Sequence, residues 1–329
     1  MSESHERGCF EPPALLRNPH LQSILPSLPP RRWLIARRAR QLQRAAREWR
    51  LDCGALGVLQ AWQTRATRSA GRRALLLHGW EGSAESGYVL SLGALLLEHG
   101  YDVVRLNLRD HGGTQHLNRE LFHSCRLPEV AAAVRAVAAS GDTERLYLAG
   151  FSLGGNFLLR VAAEPGLPAN LAGVVAVSPV LDPHHTLDAL ERRPALYHDY
   201  FVARWARSLR IKQRCWPQEY RFDELLRSRN LRRMTDELVR RHTEYPDSDT
   251  YLRGYALVGE RLGALGVPAR VLLAEDDPII PVADAARLAA PPQLRITRVA
   301  TGGHCGFMER FGGASFADRY VLEQFTAFG

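Results

Sequence analysis

Leu146-Tyr147-Leu148-Ala149-Gly150-Phe151-Ser152-Leu153-Gly154-Gly155-Asn156-Phe157 is a short apolar run broken by a Gly-x-Ser-x-Gly pentad and continued in a helix-like pattern. It reads as a strand, a sharp turn and a helix, with Ser152 at the turn. Glycines two residues either side let strand and helix approach without side-chain clashes, so the serine hydroxyl stands exposed above a sheet. The helix expected from Leu153 to Ala163 points its N-terminus at the same place, where partial positive charge favours a developing oxyanion.

Working outward, short buried strands alternate with helices. Apolar runs at Arg73 to Leu77, Asp102 to Leu108, Arg145 to Ala149, Leu171 to Val177, Val271 to Ala274 and Leu294 to Val299 read as strands. Helical spacing covers Gly87 to Glu98, Pro128 to Ala139, Asp284 to Ala289 and Ser315 to Phe328. Such alternation predicts an α/β fold, with a mostly parallel central sheet covered by helices on both faces. An antiparallel pair, Trp49 to Leu51 and Val58 to Trp62, precedes it across the glycines at 54 and 57.

Two segments depart from the alternation. Prolines at 12, 13, 19, 26, 29 and 30 keep the first thirty residues from forming a long element, and they are expected to lie as an extended arm over the domain. Arg31 to Leu42 then reads as a short basic helix. Two readings stand for its Trp33, Leu34 and Ile35: they dock on the protein's own domain, or they rest on a membrane surface beside the cationic residues. Residues 182–262, rich in arginine and aromatics, carry helical candidates at Tyr200 to Arg210, Phe222 to Arg229 and Met234 to Arg241, and are expected to be a helical cap inserted in the α/β pattern. The organisation expected is therefore residues 1–48 as arm and basic segment packed on the domain, and 49–329 as the domain itself.

Composition bounds the rest. The 329 residues carry a net charge of +8, with 46% hydrophobic and 24% charged residues, ordinary for a globular chain long enough to bury a large core. Nearly all the positive charge is arginine, Lys212 being the only lysine, and it is spread along the chain rather than gathered into a nucleic-acid footprint, so no nucleic-acid partner is expected. A weak peripheral membrane contact through the basic N-terminal segment is the further expectation. Five scattered cysteines, Cys9, Cys53, Cys125, Cys215 and Cys305, form no Cys-x-x-Cys pair and are expected to be reduced thiols. The polar stretch Met1 to Gly8 lacks the apolar core of a secretion signal, and no run approaches the length needed to span a bilayer, so the expected location is the cytoplasm, peripheral at most to the inner membrane surface.

A serine hydroxyl is a poor nucleophile at neutral pH, so Ser152 needs a base and an acid to orient that base. Both follow in the chain, each after its own strand: Asp276-Asp277-Pro278-Ile279-Ile280-Pro281 after Ala274, and Gly302-Gly303-His304-Cys305-Gly306-Phe307 after Val299. Asp277, four residues before Pro281, is the acid chosen, with Asp276 the alternative. Glycines let the His304 loop bend back towards Ser152. The oxyanion expected on a tetrahedral intermediate calls for two backbone donors, the amide of Leu153 and, from the His78-Gly79-Trp80-Glu81-Gly82 loop, the amide of Trp80. His78 is expected to order that loop, while His20, His111 and His123 read as hydrogen-bonded structural residues. His242 and Asp247 match a His-x4-Asp pattern seen in some acyltransferases, but they fall inside residues 182–262. No His/Asp/Glu spacing resembles a metal site and no phosphate-binding fingerprint follows a first strand, so neither metal nor cofactor is expected.

These motifs together resemble the YheT-like α/β-hydrolases, relatives of the abhydrolase-domain acylglycerol and phospholipid hydrolases. The resemblance runs from Asn18-Pro19-His20-Leu21-Gln22 through Leu77-His78-Gly79-Trp80-Glu81-Gly82-Ser83, with Ser86 and Tyr88, and Asn107-Leu108-Arg109-Asp110-His111-Gly112-Gly113 to the pentad, Asp276-Asp277-Pro278 and Gly303-His304-Cys305-Gly306-Phe307. It implies an α/β-hydrolase fold, a catalytic Ser152, Asp277 and His304, and hydrolysis of a small-molecule acyl or lipid-like ester through an acyl-enzyme. An acyltransferase on the same residues and a non-enzymatic ligand-binding homologue are the alternatives. One departure stands out: Arg-Asp-His-Gly-Gly where Arg-Gly-x-Gly-Gly is expected, which bears on pocket shape.

Overall fold

Nine strands form one sheet in the computed structural model, which describes residues 5–7, 10–141, 143–192 and 195–329. The strands are β1 (His5–Arg7), β2 (Arg47–Asp52), β3 (Val58–Thr64), β4 (Arg72–Leu77), β5 (Asp102–Leu106), β6 (Arg145–Phe151), β7 (Leu171–Val177), β8 (Ala269–Ala274) and β9 (Leu294–Val299). Their order across the sheet is β1-β9-β8-β7-β6-β4-β5-β3-β2. All neighbours run parallel except β5 with β3 and β3 with β2, so the expected mostly parallel α/β sheet is present.

Alternation along each buried strand divides its side chains between two cores. In β4, Leu75 and Leu77 join a core on one face with the helices Leu127–Ala138 and Leu153–Ala162, while Ala74 and Leu76 join a second core on the other. That second core is covered by Gly87–Glu98 and Phe316–Ala327. The last helix starts sharply because Ser315 and Asp318 form a capping box, and Asp318 is itself held by Ser91 Oγ at 2.7 Å. Register aligns the strand ends: Leu77 lies beside Gly150, Phe151 beside Val177, and Ala274 beside Val299. The loops leaving β4, β6, β8 and β9 therefore emerge on one edge, the carboxyl end where open α/β sheets hold their ligands.

Several local expectations need correction. The arm is not merely extended: Asn18 caps a helix Pro19–Ile24, its side chain accepting from the amides of His20 and Leu21, and proline at the first helical position is pre-set for that role. The arm also supplies β1, paired with β9. The basic segment is two helices, Arg31–Arg38 and Arg40–Arg44, interrupted at Ala39. Asp284 to Ala289 is not an α-helix but a 3-10 turn, Val282–Arg287. Side chains three apart eclipse in that geometry, and Arg287 Nη1 reaches Asp284 Oδ1 at 3.0 Å, while Pro281, Pro291 and Pro292 leave no room for a longer helix. Among the cysteines, Cys53, Cys125, Cys215 and Cys305 are free thiols. Cys9, like most of Met1 to Gly8, lies outside the described residues.

Between β7 and β8 the chain is helical, with Pro183–Glu191, Leu196–Cys215, Asp223–Arg227, Leu231–His242 and Ser248–Gly254. The first and last of these carry no expectation from periodicity. The longest is fastened to the loop that follows β5 by the chain's single lysine. Lys212 Nζ, 1% exposed, donates to Asp110 Oδ1 at 2.9 Å and to the carbonyls of Asn118 and Glu120 at 2.7 and 2.9 Å. Asp110 sits at φ 59°, the left-handed conformation that favours the glycine expected there, and its second oxygen accepts from the Phe122 amide at 2.8 Å. The departure from the family pattern thus has a structural reason: it supplies the carboxylate that Lys212 needs. Removing one partner of a buried ion pair leaves the other charge stranded. Lys212→Met is expected to lower unfolding free energy by about 3–5 kcal/mol, with the Asp110→Gly, Lys212→Met double variant less destabilised than Lys212→Met alone. Equal denaturation midpoints for wild type and Lys212→Met would contradict the assignment.

Candidate active site

Ser152 joins β6 to the helix Leu153–Ala162 with φ 51° and ψ −121°, far from the basins an L-residue prefers. What allows it is the absence of side chains around it. A β-carbon on Gly150 would lie 2.5 Å from the Gly154 carbonyl oxygen, and one on Gly154 would strike the carbonyls of Leu77 and His78. The Ser152 amide donates to Val177 O at 2.9 Å, tying the turn to β7. Backbone strain at a serine held between close-packed elements is the kind stored at functional sites.

The loop after β4 passes directly over that serine: a β-carbon on Gly79 would lie 3.0 Å from Ser152 Cβ. Three groups hold it there. His78 Nδ1 meets Gly79 O at 2.7 Å and its Nε2 accepts from the Leu108 amide at 3.1 Å, so the ring carries one proton. Burial and the neighbouring His111 push its pKa down to about 3, in keeping with a neutral, loop-ordering imidazole. Tyr88 OH accepts from the Gly79 amide at 3.1 Å. Asn107 Oδ1 accepts from the Ala84 amide at 2.7 Å. Trp80 and Leu153 both line the cavity that Ser152 borders. Leu153 is the first residue of its helix, so its amide has no intrahelical acceptor.

Asp277 and His304 are brought together from β8 and β9. His304 Nδ1 lies 2.9 Å from Asp277 Oδ2, and Asp277 Oδ1 accepts from the amides of Ile279 and Ile280 at 2.8 and 3.0 Å. Asp276 points elsewhere: its Oδ1 accepts from the Gly303 amide at 2.9 Å. Of the two acids, Asp277 meets the imidazole and Asp276 meets the backbone that carries it. Burial opposes a charge on His304, yet the Asp277 carboxylate and the adjacent Cys305 raise its pKa well above the ordinary 6.5. The histidine turn reaches the serine turn through a shared group. Val177 O accepts from the Ser152 amide at 2.9 Å and from Cys305 Sγ at 3.8 Å.

Sequence patterns did not reveal what holds the histidine turn. The glycines there do more than bend it: a β-carbon on Gly303 would meet Pro19 O and Ser23 Oγ, and one on Gly306 would collide with the Gln22 carbonyl. Ser23 Oγ accepts from the His304 amide at 2.8 Å. Gln22, fully buried, accepts from the Met308 amide at 2.7 Å and donates to Met308 O at 3.0 Å. The Asn-Pro-His-Leu-Gln motif of the arm is therefore a cradle for the histidine. His20 stacks on Tyr197 and shares a 2.9 Å hydrogen bond with its hydroxyl.

Other candidates separate from the site. Asp247 caps the helix Ser248–Gly254, accepting from Thr250 at 2.7 Å, and His242 packs against Tyr220 and Phe222, so their spacing reflects two local roles. His111 Nδ1 binds Arg109 O at 2.7 Å. His123 lines the cavity with its pKa pushed down to about 4 by burial and Arg126. Asp182, His185 and Asp284 converge closely enough to suggest a metal site, but Arg287 Nη1 lies 2.6 Å from Asp182 Oδ2 and 3.0 Å from Asp284 Oδ1. A fixed guanidinium between both carboxylates satisfies the charge a cation would bring.

The cavity bordered by Ser152 is walled by Leu187, Leu190, Trp205, Leu231, Leu238 and Leu252, drawn from four helices of residues 182–262. Asn156 and Arg160, on the helix after Ser152, brace residues that line it. Asn156 Nδ2 donates to Val180 O and Tyr255 O at 2.9 and 2.8 Å, and Arg160 Nη2 to Ser124 O at 2.8 Å. A strained serine, a carboxylate-paired histidine and an apolar cavity thus meet on one sheet edge.

The chain's similarities agree with this geometry. A family model described as the alpha/beta hydrolase fold matches residues 75–311. YheT of Escherichia coli K12, which carries an esterase designation, is 24% identical over 260 residues, covering 75% of this chain and 74% of its own. Human ABHD15 is 25% identical over 276 residues, 80% of this chain, and Caenorhabditis elegans abhd-3.2 is 25% identical over 240 residues, 71% of this chain. The matched regions span only 57% and 64% of those two proteins. Among solved structures, an esterase of Pyrococcus furiosus superposes with a TM-score of 0.56 at 14% identity, over 86% of this chain and 88% of that one. Est1E of Butyrivibrio proteoclasticus, solved with ferulic acid, gives 0.55 at 16%, over 85% and 98%.

The electrostatics of the pair can be tested without a substrate. A carboxylate stabilises the imidazolium, so neutralising it should let the proton leave at lower pH. Ring-proton NMR titration is expected to place the His304 pKa above 6.5 in the wild type and to lower it in Asp277→Asn. An unchanged His304 titration in that variant would show that Asp277 does not hold the ring.

Proposed function

Because the chain belongs to the alpha/beta hydrolase fold family, we propose that it hydrolyses carboxylic esters through an acyl-enzyme formed on Ser152. The observation that carries this reading is the His304 Nδ1–Asp277 Oδ2 contact of 2.9 Å, on the turn that shares Val177 O with the strained serine.

In this mechanism His304 Nε2 takes the Ser152 proton as Oγ attacks the ester carbonyl. Asp277 holds the ring with Nδ1 protonated and stabilises the imidazolium that forms. The tetrahedral oxyanion is received by the Leu153 and Trp80 amides, whose positions are set before reaction by the elbow and by His78 and Tyr88. Donors fixed in advance cost no reorganisation as charge develops. Collapse expels the alcohol, which takes the proton from His304. Water then repeats the sequence, with His304 as base, and releases the carboxylic acid.

Residues 182–262 act in this reading as a cap whose leucines receive the acyl chain. Among the described residues the wall is apolar, with no lysine or arginine side chain along it, which suits a hydrocarbon acyl group better than a charged one. The Lys212 clamp would keep the longest cap helix in place during turnover. The esterase designation of YheT points to the same reaction class.

Only neutral His304 serves as base, so kcat/KM is expected to rise with pH along a limb lying above 6.5. Ser152→Ala is expected to keep the circular dichroism and melting profile of the wild type while losing about 10³-fold or more in kcat/KM on p-nitrophenyl acyl esters. Retained hydrolysis by the purified variant would sink the proposal.

A further inference from the structure

The helix Arg31–Arg38 gives one of its three central apolar residues to the core and two to solvent. Ile35 is 5% exposed, whereas Trp33 is 67% and Leu34 41% exposed. Docking on the domain therefore accounts for Ile35 alone. Two further apolar residues, Leu28 and Phe311, are also exposed nearby. Leu28 O accepts from the Arg32 amide at 3.0 Å, and Arg31 Nη1 donates to the carbonyls of Phe311 and Gly313, each at 2.9 Å. Leu34 Cδ1 lies 4.0 Å from where a β-carbon on Gly312 would stand. The arm and the loop at 310–313 thus share one surface. Apolar side chains exposed singly are ordinary, but four exposed within the arm and the loop it contacts call for an occupant.

Charge says what that occupant is. Between Glu11 and Glu48 the chain carries Arg17, Arg31, Arg32, Arg37, Arg38, Arg40, Arg44 and Arg47 and no acidic residue. Arg31 is buried against carbonyls and Arg38 pairs with Glu98 at 2.7 Å. Arg32, Arg37, Arg40 and Arg44 are exposed and have no ion-pair partner among the described residues. Aromatic and aliphatic side chains among free arginines suit the headgroup layer of a bilayer, where the apolar groups enter the acyl boundary and the guanidiniums meet phosphate. A nucleic-acid strand would use Trp33 by stacking but leave Leu28, Leu34 and Phe311 in water. A second copy of the chain would bring the same positive charge against itself.

We propose that the surface carrying Leu28, Trp33, Leu34 and Phe311, with the exposed Arg32 and Arg37 on the same helix as Trp33 and Leu34, docks on a bilayer surface containing anionic phospholipid. The contact proposed is a peripheral one, and among the described residues no helix is long and apolar enough to cross a membrane. The same arm runs through Ser23, whose hydroxyl holds the His304 amide, so the docking face and the candidate site share one segment of chain.

The test is co-sedimentation of the full-length protein with phosphatidylcholine vesicles made with and without phosphatidylglycerol, at low and high salt. Binding is expected only with phosphatidylglycerol and is expected to weaken as salt screens the arginines. The exposed-surface variants Trp33→Ser/Leu34→Ser and Arg32→Gln/Arg37→Gln should each lower the partition coefficient about tenfold, with melting and soluble-ester hydrolysis unchanged. The proposal is overturned if the protein stays in the supernatant with phosphatidylglycerol at low salt, or if Trp33→Ser/Leu34→Ser binds like wild type. It is equally overturned if what that variant loses is self-association or retention of a single-stranded oligonucleotide instead.

Discussion

A serine can be held with its backbone in the left-handed half of conformational space only if the chain around it leaves room, and here the room comes from Gly150 and Gly154. Both approach backbone atoms more closely than any β-carbon permits. That steric constraint fixes how near β6, its helix and the loop after β4 come to one another, and so where the Ser152 hydroxyl and the Leu153 amide stand. Everything else in the candidate site is arranged about that point: the aligned ends of β4, β6, β8 and β9 bring the remaining loops to the same edge.

Two distant segments then hold the arrangement from outside the α/β pattern. The arm presses Gln22 and Ser23 onto the histidine turn, whose glycines are open to receive it. The lysine at 212 fastens the longest helix of residues 182–262 to a carboxylate set at a backbone conformation suited to glycine. Both are buried polar contacts with several partners, in which satisfied hydrogen bonds specify a single geometry more than they add net stability. The apolar cavity has the strained serine at its border.

Much of this was legible in the chain because it rests on local signals. The strands are continuous runs of buried aliphatics, the elbow carries its own glycines, and Asp277 and His304 each follow a strand. The cradle was not legible, since Gln22 and Met308 are 286 residues apart and neither has a reactive group that draws notice. Nor was the role of Asp110: an aspartate in place of a glycine looks like a defect until Lys212 is seen to reach it. The alanines of Val282–Arg287 suit an α-helix, while the Asp284–Arg287 pairing that goes with its 3-10 geometry sits beside Asp182 and His185 from another segment, which local sequence does not show. For Trp33, Leu34 and Ile35 the sequence leaves docking on the domain and resting on a membrane surface both open, and only the fold shows that Ile35 alone of the three is buried.

The central claim is that Ser152 becomes covalently acylated, and rapid-quench peptide mass spectrometry during turnover of an activated acyl ester tests it most directly. The account predicts the mass of one acyl group on the peptide containing Ser152, formed in a burst with release of the alcohol and lost as the acid appears. Full turnover with no adduct on that peptide under conditions where deacylation is rate-limiting, or an adduct carried by another residue, would contradict it.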